Sequence, residues 1–145
     1  MKIINRQAFH DYQILDRLEA GVQLTGAEVK ATRSGHADLT GSFVRIIGSE
    51  IYLINGKIFL LPYARPEGYD ERRTRKLLLH KKQIIALKTK VATTSLVLVP
   101  ISLYLKEGFV KAEIGLAKGK KQYEKREAIR KKDLDREVER ELGKH

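Results

Sequence analysis

The sequence predicts a mainly β protein: a small antiparallel barrel or sandwich with short helices and a basic C-terminal tail. Three observations predict it. Val97, Val99, Ile101, Leu103 and Leu105 alternate, and after Glu107-Gly108 so do Val110, Ala112, Ile114 and Leu116. Period two across a short glycine turn is the pattern of a hairpin with one buried face. The texture then changes near residues 117–121, from Gly-punctuated Val, Ile and Leu to Lys, Arg, Glu and Asp. Finally, 29 Lys and Arg stand against 18 Asp and Glu among 145 residues, a net charge of +11. The hydrophobic share of 42% is enough for a core, which excludes a wholly disordered basic chain. We therefore expect a domain over residues 1–119 and a tail over 120–145.

The elements follow in order. Residues 10–18 mix aromatic and apolar side chains and read as a strand that ends at a Glu19-Ala20-Gly21 turn. Thr25 is an N-cap candidate for a helix over 26–33, with Glu28 completing a capping box and Gly35 ending it. Residues 43–47 and 51–54 are β-branched and aromatic, and Gly48-Ser49-Glu50 between them suggests a hairpin. Residues 62–74 hold Pro, Gly and charge and read as a mobile loop. Leu77 and Leu79 should point inward from a strand with basic flanks. Residues 81–91 place Ile84, Ile85 and Leu87 on one side of a helix and Lys on the other. Pro100 has no N–H, so its stretch should be an edge or a bulge.

Composition closes several routes. The chain has no Cys, which rules out disulfides, thiolate zinc sites and Cys-based catalysis. No apolar run approaches the roughly 20 residues that span a bilayer, so a cytoplasmic protein with no membrane partner is expected. The four His have no metal-like spacing, and no metal or cofactor is expected. His10 and Asp11, adjacent on a predicted strand, should point to opposite faces, which argues against a catalytic pair. Gly115-Leu116-Ala117-Lys118-Gly119-Lys120-Lys121 resembles a P-loop, but three residues separate its glycines and Lys121 stands where a hydroxyl must ligate magnesium. It reads better as a flexible basic hinge at Gly119.

The basic segment is more informative. Residues 72–90 hold eight Lys and Arg and no acid. An ordinary solvated surface mixes signs, so Arg73, Arg75, Lys76 and their neighbours read as a phosphate-binding patch. Glu28 reads as a helix cap. Glu19 repels phosphate, so in an RNA site it must accept hydrogen bonds from a base edge or hold an Arg. In the tail, Ile129, Leu134, Val138 and Leu142 form a thin apolar stripe. Periodicity leaves two readings open: a solvated terminus, or a segment that folds on a polyanionic surface.

Taken together these residues resemble the SsrA-binding protein (small protein B) family over essentially the whole chain. The matching blocks are Asn5-Arg6 with His10-Asp11-Tyr12; Glu19-Ala20-Gly21 with Glu28-Val29-Lys30; Arg73-Thr74-Arg75-Lys76-Leu77-Leu78-Leu79-His80-Lys81; Tyr104, Lys111 and Gly115; Ala117-Lys118-Gly119-Lys120-Lys121; and Lys125-Arg126-Glu127. The resemblance implies an oligonucleotide-binding-type antiparallel barrel and no enzymatic activity. It implies two partners: transfer-messenger RNA, held by its tRNA-like part, and the stalled ribosome, in whose empty messenger channel near the decoding centre the tail, disordered in the free protein, becomes helical. By position it implies RNA-binding roles for Asn5, Arg6, Glu19, Arg73, Arg75, Lys76, Lys118, Lys120 and Lys121. It implies ribosome-binding roles for Tyr123, Glu124, Lys125, Arg126, Ile129 and Leu134. Glu124 stands where the family usually has Asp, and Lys57 where many relatives have His. A general ribosomal or single-strand RNA-binding barrel is the alternative; it should bind many RNAs alike. An enzyme acting on RNA would need a metal cluster or an acid–base pair, and the sequence offers neither.

Overall fold

The computed structural model describes residues 1–120. They form nine strands and three α-helices: β1 Lys2–Ile4, α1 Arg6–Asp11, β2 Tyr12–Val22, α2 Gly26–Arg33, β3 Ala37–Asp38, β4 Phe43–Ile47, β5 Glu50–Ile54, β6 Lys57–Ile58, β7 Arg75–Leu78, α3 Lys81–Thr93, β8 Val97–Lys106 and β9 Phe109–Gly119. Seven strands make one antiparallel sheet in the order β1-β8-β9-β2-β7-β5-β4, and β3 pairs with β6 apart from it. The sheet curls until β4 lies against β8, but no ladder joins those two among the described residues. The mainly β antiparallel class is as the sequence predicts; the barrel is open along the β4–β8 seam.

The core sits inside the curl. Ile51, Leu53, Leu77, Leu103, Ile114 and Leu116 are buried there, and Ile84 and Leu87 of α3 cap one side. Both expected hairpins form, β4–β5 and β8–β9. The α2 cap also forms: the Glu28 N–H donates to Thr25 Oγ1 at 3.2 Å, and the Thr25 N–H donates to Glu28 Oε1 at 3.0 Å. Gly35 follows at φ +83°, a left-handed residue that lets the chain leave the helix.

Several expectations need correction. Residues 6–11 form α1, so only Tyr12 onward is strand, and β2 runs straight through Glu19-Ala20-Gly21 to Val22 instead of turning. Gly21 lies on β2 opposite Lys111 and Leu78, so long-range pairing overrides the local turn signal. Ile85 is exposed and only Ile84 and Leu87 are buried, so the apolar stripe of α3 is one residue narrower. Residues 62–74 are an irregular connection pinned by Tyr69, whose hydroxyl donates to the Ile58 carbonyl at 3.0 Å. The expected hinge glycine, Gly119, is the last residue of β9 and pairs with Tyr12.

Strand β8 departs most. Its alternation does not hold end to end, because the ladder to β9 shifts register between Pro100 and Ser102. The extra residue flips the phase of one half against the other. Leu98 and Leu103 face the main core, while Val99 packs into a second cluster with Ala8 and Ala117. Pro100 thus sits at a bulge, on the stretch of β8 whose side away from β9 has no ladder partner among the described residues, as its missing N–H led us to expect. β1 pairs only as far as Ser102, so no ladder partner needs the missing proline N–H.

A candidate RNA-binding face

The structure sorts the predicted residues into three groups. Asn5 is buried: its N–H donates to the Ile101 carbonyl at 2.7 Å and its Nδ2 to the Pro100 carbonyl at 2.9 Å. It fastens the bulge in β8, and burial corrects its assignment as an RNA contact. Arg75 is likewise fully buried. Its Nε and Nη2 donate to Glu28 Oε2 at 3.0 and 2.8 Å, and its Nη1 donates to the Gly56 carbonyl at 2.6 Å. A guanidinium so enclosed cannot reach a phosphate, so that assignment is corrected too.

Glu28 is therefore more than a cap. Besides Arg75, it accepts from Arg73 Nη2 at 2.5 Å and from the Tyr69 hydroxyl at 3.0 Å. Burial by itself would raise its pKa, but the bonds from Arg73, the Thr25 N–H and Arg75 prevail and hold it at about 2. Opposite charge and donated hydrogen bonds both favour the carboxylate. Burial raises the Tyr69 pKa, and the adjacent Glu28 carboxylate adds to the effect. Two of the eight basic residues in 72–90 are thereby spent on one buried acid. Lys76 pairs with Glu50 at 3.2 Å. The remaining five, Arg72, Lys81, Lys82, Lys88 and Lys90, are exposed and form no ion pair among the described residues.

The second group meets at one place. Glu19 projects from the outer surface of β2 and accepts from the Tyr104 hydroxyl, with Lys106 Nζ 3.4 Å away. The Tyr104 bond lowers its pKa first, outweighing a little desolvation, and Lys106 and Lys111 lower it further. The carboxylate is thus ionised at neutral pH, and burial together with Glu19 pushes the Tyr104 phenol well above its ordinary pKa. Beside it, Glu19, Lys76, Leu78, His80, Gln83 and Lys111 line a hollow of about 580 Å³. Leu78 is half exposed there. The hollow offers the Glu19 carboxylate to base N–H groups, an apolar floor for a base and the Lys111 ammonium for a phosphate, while Lys76 there is paired with Glu50, a set suited to an unstacked nucleotide.

The third group lies apart. Arg6 begins α1 and is exposed, Lys118 is exposed at the end of β9, and Lys120 Nζ donates to the Phe9 carbonyl at 3.1 Å. These belong to the α1 end of the sheet, away from the Glu19 hollow. Lys121, Tyr123, Glu124, Lys125, Arg126, Ile129 and Leu134 lie outside the described residues. Sequence reasoning missed Tyr104, Lys106 and Lys111 as partners of Glu19. The β8–β9 turn already sets Tyr104 opposite Lys111, but only the non-local β2–β9 pairing brings Glu19 beside them.

His10 and Asp11 also need correction. On α1 they meet, Nδ1 to Oδ1 at 2.9 Å, instead of facing apart. Both are solvent-accessible, and among the described residues no group of three or more His, Asp or Glu is placed to hold a metal. No helix among the described residues is long and apolar enough to cross a membrane.

Comparison with known proteins agrees with this geometry. The chain is 51% identical over 138 residues to an SsrA-binding protein of Sulfurihydrogenibium sp. (strain YO3AOP1), covering 94% of this chain and 90% of that one. It is 50% identical over 143 residues to the SsrA-binding protein of Wolinella succinogenes, covering 97% and 95%. A solved structure described as "tmRNA-SmpB: a journey to the center of the bacterial ribosome" superposes with a TM-score of 0.71 at 46% identity, over 89% of this chain and 94% of that one. The family model for the SmpB protein matches residues 2–144. With that match nearly end to end, and with relatives near half identity over almost their full lengths, the chain belongs to the SmpB protein family.

Proposed function

We propose that this chain binds the tRNA-like domain of transfer-messenger RNA and delivers it to stalled ribosomes for trans-translation, so that the stalled peptide is tagged and the ribosome rescued. The observation that supports the reading most is the near full-length identity to SsrA-binding proteins, joined to a fold shared with a protein solved with transfer-messenger RNA. On this reading the chain is a cytoplasmic binding protein and not an enzyme. Residues 1–119 hold RNA through the Glu19 hollow and the exposed lysines of α3. Residues 120–145 serve the ribosome, with Tyr123, Glu124, Lys125, Arg126, Ile129 and Leu134 as its contacts. Competition between a tRNA-like RNA and an unrelated RNA of equal length, at matched salt, tests it. Equal affinity for both would favour a general RNA-binding barrel.

Two further outcomes are expected. Affinity should fall steeply with salt. If Lys81 or Lys82 holds a phosphate, neutralising that lysine should reduce the slope of log K against log salt by about one. A flat salt dependence would rule out phosphate binding through this face. Glu19→Gln makes the protein more positive, so a purely electrostatic binder would gain affinity. Loss of an ionised acceptor from a base edge should instead weaken cognate RNA about tenfold or more, with unrelated RNA unaffected. Tyr104→Phe leaves the charge in place but frees the carboxylate to swing, and should give a smaller loss in the same direction. Filter binding at one salt concentration separates these results.

A further inference from the structure

Arg45 of β4 is the ladder partner of Tyr52 on β5, and Tyr52 is that of Lys76 on β7. The Gln23 N–H, just past β2, donates to the Lys76 carbonyl at 2.9 Å. Gly21, two residues before Gln23, pairs with Lys111 of β9, and Phe109, two residues before Lys111, pairs with Lys106 of β8. The sheet thus sets Arg45, Tyr52, Lys76, Gln23, Phe109 and Lys106 in one row across six neighbouring strands. Their neighbours along the strands, Val44, Ile51, Leu77 and Val110, are buried in the core, so the row lies on the outer face of the sheet. Five strand spacings make it roughly 24 Å long.

The row alternates cations with aromatic rings and contains no acid. Phe109 is 67% exposed. It follows the Glu107-Gly108 turn, whose φ values of +54° and +82° mark a tight two-residue hairpin turn that fixes the ring in place. Lys111 Nζ stands 5.9 Å from the centre of that ring, and Arg45 covers the Phe43 ring at 5.3 Å. Neither Arg45 nor Lys111 forms an ion pair among the described residues. Lys76 and Lys106 pair with Glu50 at 3.2 Å and Glu19 at 3.4 Å, but exposed pairs of this kind are weak, and either ammonium can turn to a phosphate. Lys76 and Lys111 also line the Glu19 hollow, so the row is continuous with that site along its middle. The half-exposed Leu78 lies one row away, between the two rings.

We propose that an unpaired RNA segment of about four nucleotides lies across this face at right angles to the strands, with bases stacked on Tyr52 and Phe109 and phosphates at Arg45, Lys76 and Lys106. The nucleotide in the Glu19 hollow is then flanked by two stacking platforms, and the site reaches from β8 to the edge strand β4. The inference rests on the RNA-binding reading above and adds what that reading lacks, the strandedness of the RNA and its direction on the sheet. A protein partner covering the same face would bury these cations without anions to meet them, at a cost; phosphates meet them and leave the bases to the rings.

The absence of Trp allows a single reporter. Tyr52→Trp and Phe109→Trp, made separately in the full-length chain, should each lose tryptophan emission on adding a mixed-sequence RNA octamer that cannot pair with itself. The same octamer annealed to its complement should leave both emissions unchanged. Tyr52→Ala and Phe109→Ala should each weaken the octamer about fivefold or more, the loss of one base–aromatic stack, and Tyr52→Phe should retain affinity. Arg45→Gln should reduce the slope of log K against log salt by about 0.7, the value for one phosphate of a single strand. No quenching at either tryptophan would overturn the proposal, and quenching at Phe109→Trp alone would overturn the reach to β4. Equal quenching by the duplex would overturn the requirement for an unpaired strand. A preference for tRNA-like RNA that survives unchanged in both alanine variants would overturn this inference and leave the RNA-binding reading standing. Loss of octamer binding in those variants, with no preference for tRNA-like RNA in the parent, would do the reverse.

Discussion

A chain lacking residues 122–145 should fold and hold cognate RNA, yet fail completely to support tagging on stalled ribosomes. Folding should survive because the described core ends with β9: Leu116 and Ala117 are its last buried residues, and Lys118 and Gly119 are exposed. The described core is built without residues 122–145, so their removal should cost little. RNA affinity should fall modestly, since five basic residues of the 72–90 segment stay exposed on the domain. Tagging should be lost because the segment assigned to the messenger channel is missing. Replacing Ile129 and Leu134 with Pro keeps the charge but disfavours a helix by about 3 kcal/mol per residue. If tagging survives both prolines, the tail acts as a charged tether; if it survives the truncation, the ribosomal role assigned to the tail is wrong. The readouts are thermal unfolding, RNA binding and tag addition in a reconstituted translation reaction.

Glu28→Ala should be the most damaging single change to stability. Among the described residues it removes the only carboxylate facing the buried Arg75, strips Arg73 of its ion-pair partner and deletes half of the α2 capping box. Removing one member of a buried ion pair costs about 3–5 kcal/mol, because the other charge is left uncompensated. That is a large part of the roughly 5–15 kcal/mol that holds a domain of this size. Glu28→Gln should cost less, since it keeps an acceptor in place, and urea midpoints at pH 7 will rank the three proteins. A loss below about 1 kcal/mol in Glu28→Ala would refute the cluster's stabilising role. The sign with pH also follows. A carboxyl held at about 2 in the folded state, against about 4.3 in the unfolded chain, adds stability above that unfolded value and loses it as pH falls toward 2. The difference is worth about 3 kcal/mol, and Glu28→Gln should lack this part of the acid sensitivity.

How far the fold could be read from the sequence depends on how local each signal was. The α2 cap, the β4–β5 hairpin and the β8–β9 hairpin rest on neighbouring residues, and each forms as expected. The phase of β8 could not be read, because the bulge that reverses it is fixed by a buried Asn5 that closes on the Pro100 carbonyl across 95 positions. Glu19-Ala20-Gly21 has the composition of a turn, yet pairing with β9 keeps it extended. The site was legible only in part. Charge density marked residues 72–90 but could not say that Glu28, 45 and 47 positions away from Arg73 and Arg75, draws both into one ion-pair cluster. It also could not bring Tyr104 to Glu19, 85 positions apart, although both lie within the family blocks.

The place of β9 in the sheet bears on how the molecule carries force. The strand that leads into the tail is an interior one, with ladders to β2 and β8 along most of its length. Antiparallel ladder bonds lie across the strands, so tension applied to the tail runs along β9 and loads those bonds together in shear. A tail springing from an edge strand or a loop would peel away one bond at a time. Tension from a partner holding the tail would thus pass to the domain as a whole, and movement of the tail's attachment would drag the RNA-binding face with it.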